Sequence, residues 1–281
     1  MITNILAPLD GLTTSETGLA WAELAASRCR ASVRLLSVLD QPDLNANGHK
    51  EKAEDYLRAQ RDALRARGLD AEYEVAGGPA AEAILERAAA ADISVMTYGT
   101  SRWLFGGVLD RVLQGITRPL VVVRAMPART GTLPAPEKVL VALDSTDYSQ
   151  GILLAANNVA ASLGASIVLC HVVPPLGHFR AAATAPPGMA RAIEQMLDEG
   201  RDFVAKAATG LAGNGTAVET AVVMGEAAPE IVRLASRAQA GLIAMATRGG
   251  DSLSSVMSSV ARAVVQSSHV PCLLSRAQPT G

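Results

Sequence analysis

The chain has 281 residues, 49% of them hydrophobic and 19% charged, enough apolar material for a real core and a length that suggests two domains. A net charge of −2 and only 3% aromatic residues exclude the basic surface and base-stacking platforms of a nucleic-acid binder. Apolar runs such as Leu120–Val123 are strand-length, far short of the ~20 residues a bilayer span needs.

In chain order, an apolar run at 2–8 reads as a buried strand. A helical pattern follows, in which Leu19, Ala22, Ala25, Ala26 and Cys29 share one face and Ser15 is placed as N-cap. Then come a strand at 32–39, a charged helix at about 50–67 and a strand at 71–76. The helix at 79–90 starts on proline, and a strand at 92–97 follows it. A loop, a helix at about 107–115 and a strand at 119–124 complete the series. The run at 49–67 interleaves both charge signs, the mark of a solvated helix face. A Pro/Gly/Thr-rich stretch over 125–137 then interrupts the pattern.

Beyond it the sequence repeats. Residues 3–39 align without gaps on 137–173 at an offset of 134, setting Asp10 on Asp144 and Ser15, the first N-cap, on Ser149. Gly78 then matches Gly225, Met96 matches Met245 and Pro119 matches Pro271, the offset growing to 152. The second copy therefore carries insertions, the largest in 174–190, whose Pro-Pro pairs read as a mobile loop. Strands alternating with helices imply parallel strands joined by right-handed crossovers. The expected fold is α/β: two tandem five-stranded parallel-sheet domains, 1–126 and 137–277, with helices on both faces.

Chemistry-bearing candidates are few. Cys29, Cys170 and Cys272 are odd in number and lack CxxC spacing, and Cys170 and Cys272 sit in apolar strands as small buried hydrophobes. The histidines show no metal-ligand spacing. His171, at a strand end, has no carboxylate or serine at triad spacing and reads as a packing or surface residue. The opening MITNILAPLD runs straight into a strand without the basic and apolar regions of a leader, and with the cysteine usage this gives a cytoplasmic expectation. Ligands of an open parallel sheet bind beyond the carboxyl ends of the strands, where strand order reverses. The candidates there are Pro8, Asp10 and Val38 in the first copy and Ala142, Asp144 and Val172 in the second. Each copy adds its loop after the fourth strand.

The openings ILAPLD and VLVALD, the stretch GGPAAEAIL, the strands ISVMTYG and LIAMATRGG, and the Pro-led endings RPLVVVR and VPCLLSR resemble the universal stress protein family, as a tandem pair over about 2–125 and 137–276. The resemblance implies a five-stranded parallel sheet flanked by helices. In nucleotide-binding members it also implies a glycine motif, G-x2-G-x9-G-[S/T], after strand four, whose glycines let the backbone approach phosphates at a helix N-terminus. An acidic residue after strand one and a backbone contact near the end of strand two complete that site. Both copies depart from the motif. In the second, Ala246 and Gly249 stand at the first two glycines and Ser258-Ser259 at the Gly-Ser pair, one residue closer than the family spacing. In the first, Thr97 and Thr100 align with the leading glycines, or Gly99 and Arg102 in a register shifted by two. Gly106-Gly107 close that shortened loop, which Trp103, Leu104 and Phe105 crowd.

The implied site in the second copy is therefore Ala142, Asp144, Val172, Met245, Gly249, Ser258, Ser259 and Val260. Its first-copy counterparts Pro8, Asp10, Val38, Gly106 and Gly107 are expected to be non-functional. The implied ligand is ATP or AMP, with Mg²⁺ only alongside ATP. Simpler readings stand beside these. Asp10 and Asp144 could cap the turn after their strands. Ser252, Ser254, Ser255, Ser258 and Ser259, with Arg248, could form a polar loop and N-cap. Trp103-Leu104-Phe105 could pack into its own domain or anchor a partner. No nucleophile–base pair or carboxylate cluster marks an enzyme. The leading expectation is a stress-response regulatory module, at most a weak ATPase. The alternative is a nucleotide-independent interaction scaffold whose last strands, 119–124 and 271–275, pair with each other, with further self-association or an unidentified protein partner, and with neither nucleic acid nor membrane.

Overall fold

The computed structural model describes residues 1–40, 48–99, 107–125, 134–175, 187–211, 215–247 and 259–276. The first half runs β1 (Asn4–Pro8), α1 (Glu16–Cys29), β2 (Ser32–Leu39), α2 (His49–Ala66), β3 (Ala71–Gly77), α3 (Ala80–Ala88), β4 (Ile93–Tyr98), α4 (Val108–Gly115) and β5 (Leu120–Arg124). The second repeats it as β6 (Lys138–Leu143), α5 (Asp147–Leu163), β7 (Ser166–Val173), α6 (Pro187–Leu211), β8 (Val218–Met224), α7 (Ala227–Arg237), β9 (Leu242–Thr247), α8 (Ser259–Ser267) and β10 (Cys272–Arg276). The end of the 174–190 insertion, expected as loop throughout, instead opens α6. Its residues 176–186 lie outside the described set.

The strands form one sheet in the order β3-β2-β1-β4-β5-β10-β9-β6-β7-β8. Every neighbouring pair is parallel except β5–β10, which is antiparallel with Val121 opposite Leu273. Alternation along each strand sends one set of side chains to each face. Ile5, Leu35, Val95, Val121, Leu169 and Leu273 meet α1, α2, α5 and α6, while Leu6, Leu36, Met96, Val122, Ile243 and Leu274 meet α3, α4, α7 and α8. Both cores run through the two halves. Parallel strands buried on both faces account for the near-continuous apolar runs.

The glycine after the third strand has the same duty in each half. Gly78 at φ +117° donates its N–H to Leu39 O at 2.9 Å, and Gly225 at φ +159° donates to Val173 O at 3.0 Å. Such φ values suit glycine.

One helix start agrees with the sequence reading and its counterpart differs. Ser15 occupies the N-cap position of α1 without a side-chain cap bond; its hydroxyl donates back to Leu12 O at 2.7 Å. Thr146 is the N-cap of α5, placing Ser149 inside the helix, where its hydroxyl donates to Asp144 O at 2.6 Å and Thr146 O at 2.9 Å. Both serines are buried, so each hydroxyl turns to the nearest carbonyl and ties the turn to the helix it precedes.

The α1–β4 contact has been rebuilt between repeats. Thr97 Oγ1 accepts the Gly18 N–H at 2.9 Å and donates to Ser15 O at 3.0 Å; a Cβ at Gly18 would stand 2.6 Å from that oxygen. In the second half the corresponding residues are Ile152, fully buried, and Ala246. Bulk on the strand and none on the helix has become the reverse. Gly18→Ala alone is expected to destabilise the protein by about 1–2 kcal/mol, overpacking outweighing the helix propensity gained. In a Thr97→Ala background the same change should stabilise by up to about 1 kcal/mol. Urea unfolding of the four proteins in this cycle checks the change of sign.

Candidate functional site

Within each half, β1 or β6 stands between the second and fourth strands, so strand order reverses beside it. Crossovers start from the carboxyl ends of the strands, and the turn after strand one lies there. In that turn Asp10 Oδ1 accepts the N–H of Leu12 at 2.9 Å, and Asp144 Oδ1 accepts the N–H of Thr146 at 3.0 Å as well as its hydroxyl. The two carboxylates thus make the same turn, and both are exposed. The local bond holds each side chain at the rim of the strand ends.

In the first half Asp10 separates two hollows. One, of about 200 Å³, is lined by Pro8, Asp10, Val38, Met96, Thr97 and Val108 among others. The other, of about 320 Å³, lies between Asp10, Ser37 and the face of α2 that carries His49, Lys52 and Tyr56. These three belong to the charged run read as a solvated face, and the sequence reading missed them. Their approach to Asp10 depends on how α2 packs over β2 and β3, which local pattern does not carry. The Tyr56 hydroxyl donates to Glu16 at 3.2 Å; burial, reinforced by the Glu16 carboxylate, pushes the phenol up to about 12. Gly107 is the N-cap of α4 in extended backbone, while Gly106, Trp103, Leu104 and Phe105 lie outside the described residues.

In the second half Ala142, Val172 and Met245 come to the same end of neighbouring strands. Met245 is 4% exposed, so its side chain belongs to the core and it offers the rim only backbone. Ser259 is exposed and opens α8, with Val260 half-buried behind it. Because α8 begins the crossover from β9, its N-terminus sits at the rim with Asp144. Gly249 and Ser258 lie outside the described residues, as do Arg248, Ser252, Ser254 and Ser255.

His171 is a packing residue. Its Nδ1 lies 2.9 Å from Leu143 O, and its ring meets Phe203 edge-on at 5.3 Å between centroids. A carbonyl only accepts, so Nδ1 carries the proton. Cys170 and Cys272 are almost fully buried, and that burial pushes both thiols up to about 12. Burial raises half-exposed Cys29 as well, though the Ser162 side chain acts the other way.

The universal stress protein family model matches residues 1–124 and again 136–276. The chain belongs to the universal stress protein family. Its two halves are tandem universal stress protein domains. Among solved structures, a universal stress protein from Archaeoglobus fulgidus DSM 4304 is 20% identical, with 98% of each chain covered and a TM-score of 0.71. A functionally unknown protein from Pseudomonas aeruginosa PAO1 is 18% identical over 98% of this chain and 93% of that one, with a TM-score of 0.64. At such identities the likeness concerns the fold. No curated protein matches the chain.

The thiols give a direct check of this universal stress protein's core. At pH 8, iodoacetamide should label Cys29 first. Cys170 and Cys272 should react only at the rate of unfolding, since thiolate is the reactive form and burial suppresses it. Peptide mass spectrometry across a urea series reads the order.

Proposed function

We propose that this tandem universal stress protein is a regulatory module that binds an adenine nucleotide, ATP or AMP, at the strand ends of its C-terminal half. The observation that carries the reading is the contrast between the two rims. In the N-terminal half Pro8 ends β1, Thr97 is hydrogen-bonded to α1, and Val108 with Leu109 opens α4 against a hollow of about 200 Å³. That hollow is below the roughly 300–1,000 Å³ usual for small-molecule sites, and the one on the α2 side of Asp10, about 320 Å³, only just reaches that range. In the C-terminal half Ala142 stands for Pro8 and Ala261 for Leu109, while Ile152 makes up the bulk that Ala246 lacks and Val260 matches Val108. Ser259 stands at the start of α8, where Gly107 stands in α4. The smaller walls at Ala142 and Ala261 leave room for a nucleoside, and a helix N-terminus with a hydroxyl favours an anion.

In this reading Asp144 meets the nucleoside, backbone near Ala142 and Val172 flanks the base, and Gly249, Ser258 and Ser259 meet the phosphates. Among the described residues no group of three His, Cys, Asp or Glu side chains could hold a metal. In this reading Mg²⁺ enters only alongside ATP, on its phosphates. No helix of the described residues is long and apolar enough to cross a membrane.

Calorimetric titration of the full chain with ATP and with AMP tests the assignment. Binding to the wild type should fall at least about tenfold in Asp144→Ala and in Gly249→Val/Ser259→Ala, and should persist in Asp10→Ala. Loss in Asp10→Ala with retention in Asp144→Ala would move the site to the N-terminal half. Absence of affinity at millimolar nucleotide would leave the scaffold reading instead.

A further inference from the structure

The β5–β10 register relates the halves by a two-fold operation through the Val121–Leu273 pair. It pairs Leu120 with Leu274 and Val122 with Cys272, and the repeat offset of 152 exchanges the members of these pairs. Every position along the seam therefore has a counterpart, and the counterparts need not be filled alike. On one side α1 carries Trp21, whose side chain is 2% exposed within the core. On the other side the residue at that position of α5 is Ala155.

Where Ala155 replaces the indole, a cavity of about 500 Å³ opens between α5 and the amino-terminal strand ends of the first half. Its apolar wall includes Ile2, Ile93, Ala155 and Val159, each at most 9% exposed. Arg118 and Arg276 also line it, and continuing the register from Leu274–Leu120 sets them opposite each other. Their two-fold counterparts are Val270 and Arg124, so the open side carries one cation more than the filled side. Asp92, also in the lining, accepts from the Thr3 N–H at 2.7 Å, the Thr3 hydroxyl at 2.7 Å and the Asn4 N–H at 3.2 Å. Burial opposes its charge, but these hydrogen bonds at the start of β1, together with the attraction of the Arg118 guanidinium, hold the carboxyl below the usual carboxylate range.

We infer that this seam cavity is a binding site for a small aromatic carboxylate. The aromatic ring takes the place that the Trp21 indole fills on the other side of the seam, and the carboxylate meets the guanidinium groups of Arg118 and Arg276. A half-open pocket of this size with one apolar wall suits a flat ring, and guanidinium–carboxylate pairing is strong and directional. The site lies on the α5 face at the same edge of the sheet as the C-terminal rim, since Arg276 pairs with Thr247 and the β9–β6 register continues from Thr247 to Asp144. Its occupation does not rest on nucleotide binding.

Indole-3-propionate serves as the probe, with indole and propionate as its separated parts, titrated calorimetrically into the full chain. The expected result is saturable binding of indole-3-propionate at one site per chain, unaffected by ATP. Ala155→Trp, which rebuilds the filled arrangement, should reduce affinity at least about tenfold while leaving the melting temperature equal or higher. Arg118→Gln/Arg276→Gln should weaken indole-3-propionate by about tenfold or more and leave indole unchanged; it decides the matter should the tryptophan variant fail to fold. Absence of saturation at millimolar probe overturns the proposal. So does competition by ATP, or affinity that neither variant alters.

Discussion

The antiparallel pairing of β5 with β10 is the constraint on which the rest of the molecule depends. Each half is a parallel sheet whose last strand would otherwise present a row of unpaired backbone groups flanked by apolar side chains, a template for aggregation. Joining the two last strands removes both edges at once and makes the cores continuous on each face. Leu120, Val121, Val122, Cys272, Leu273 and Leu274 are all 2% exposed or less. Two further contacts cross the seam. The buried Tyr98 hydroxyl, its phenol pushed up to about 12 chiefly by burial, donates to Val265 O of α8, and Cys29 Sγ of α1 approaches Ser162 O of α5 at 3.6 Å. The partner of Tyr98 lies on the far side of the two-fold relation. Its own repeat counterpart, Thr247, stays within its half and lies 3.4 Å from Ser275 O.

Joined in this way, the halves have diverged by compensation. Thr97 beside Gly18 became Ala246 beside Ile152, so one helix–strand interface keeps its packing with the bulk transferred from strand to helix. Close-packed interiors tolerate volume changes only when a neighbour answers them. Trp21 opposite Ala155 is the exception, since one side of the seam keeps an indole and the other a cavity. The conserved duties are backbone duties. The Asp10 and Asp144 turns, and the Gly78 and Gly225 bends, persist because they fix where the chain leaves the strand ends.

Much of the fold was legible in the sequence because the repeat states each element twice and strand runs alternate with helices. The helix expected at about 50–67 is 49–66, and the strand expected at 71–76 is 71–77. The caps were less legible. Serine is favoured at N-caps, but burial turned both hydroxyls toward carbonyls, and no local pattern announces that choice. At the rim, the turn position of Asp10 and Asp144 could be read from an aspartate following an apolar run. The approach of His49, Lys52 and Tyr56 to Asp10 could not, because it is fixed by helix packing between residues some forty positions apart. The difference between Trp21 and Ala155 was visible in the aligned repeats. Its meaning required knowing that both positions face the seam.

Because the central pair of strands runs in opposite directions, carboxyl ends in one half point the opposite way from those in the other. With adjacent strands about 4.8 Å apart, the outermost strands β3 and β8 stand roughly 43 Å from each other before twist is counted. The mouths beside Asp10 and Asp144 consequently open toward opposite poles. A small molecule cannot bridge them, and a macromolecule docked over one pole leaves the other accessible to solvent. The two sets of strand ends therefore face opposite poles and are joined through the strands between them.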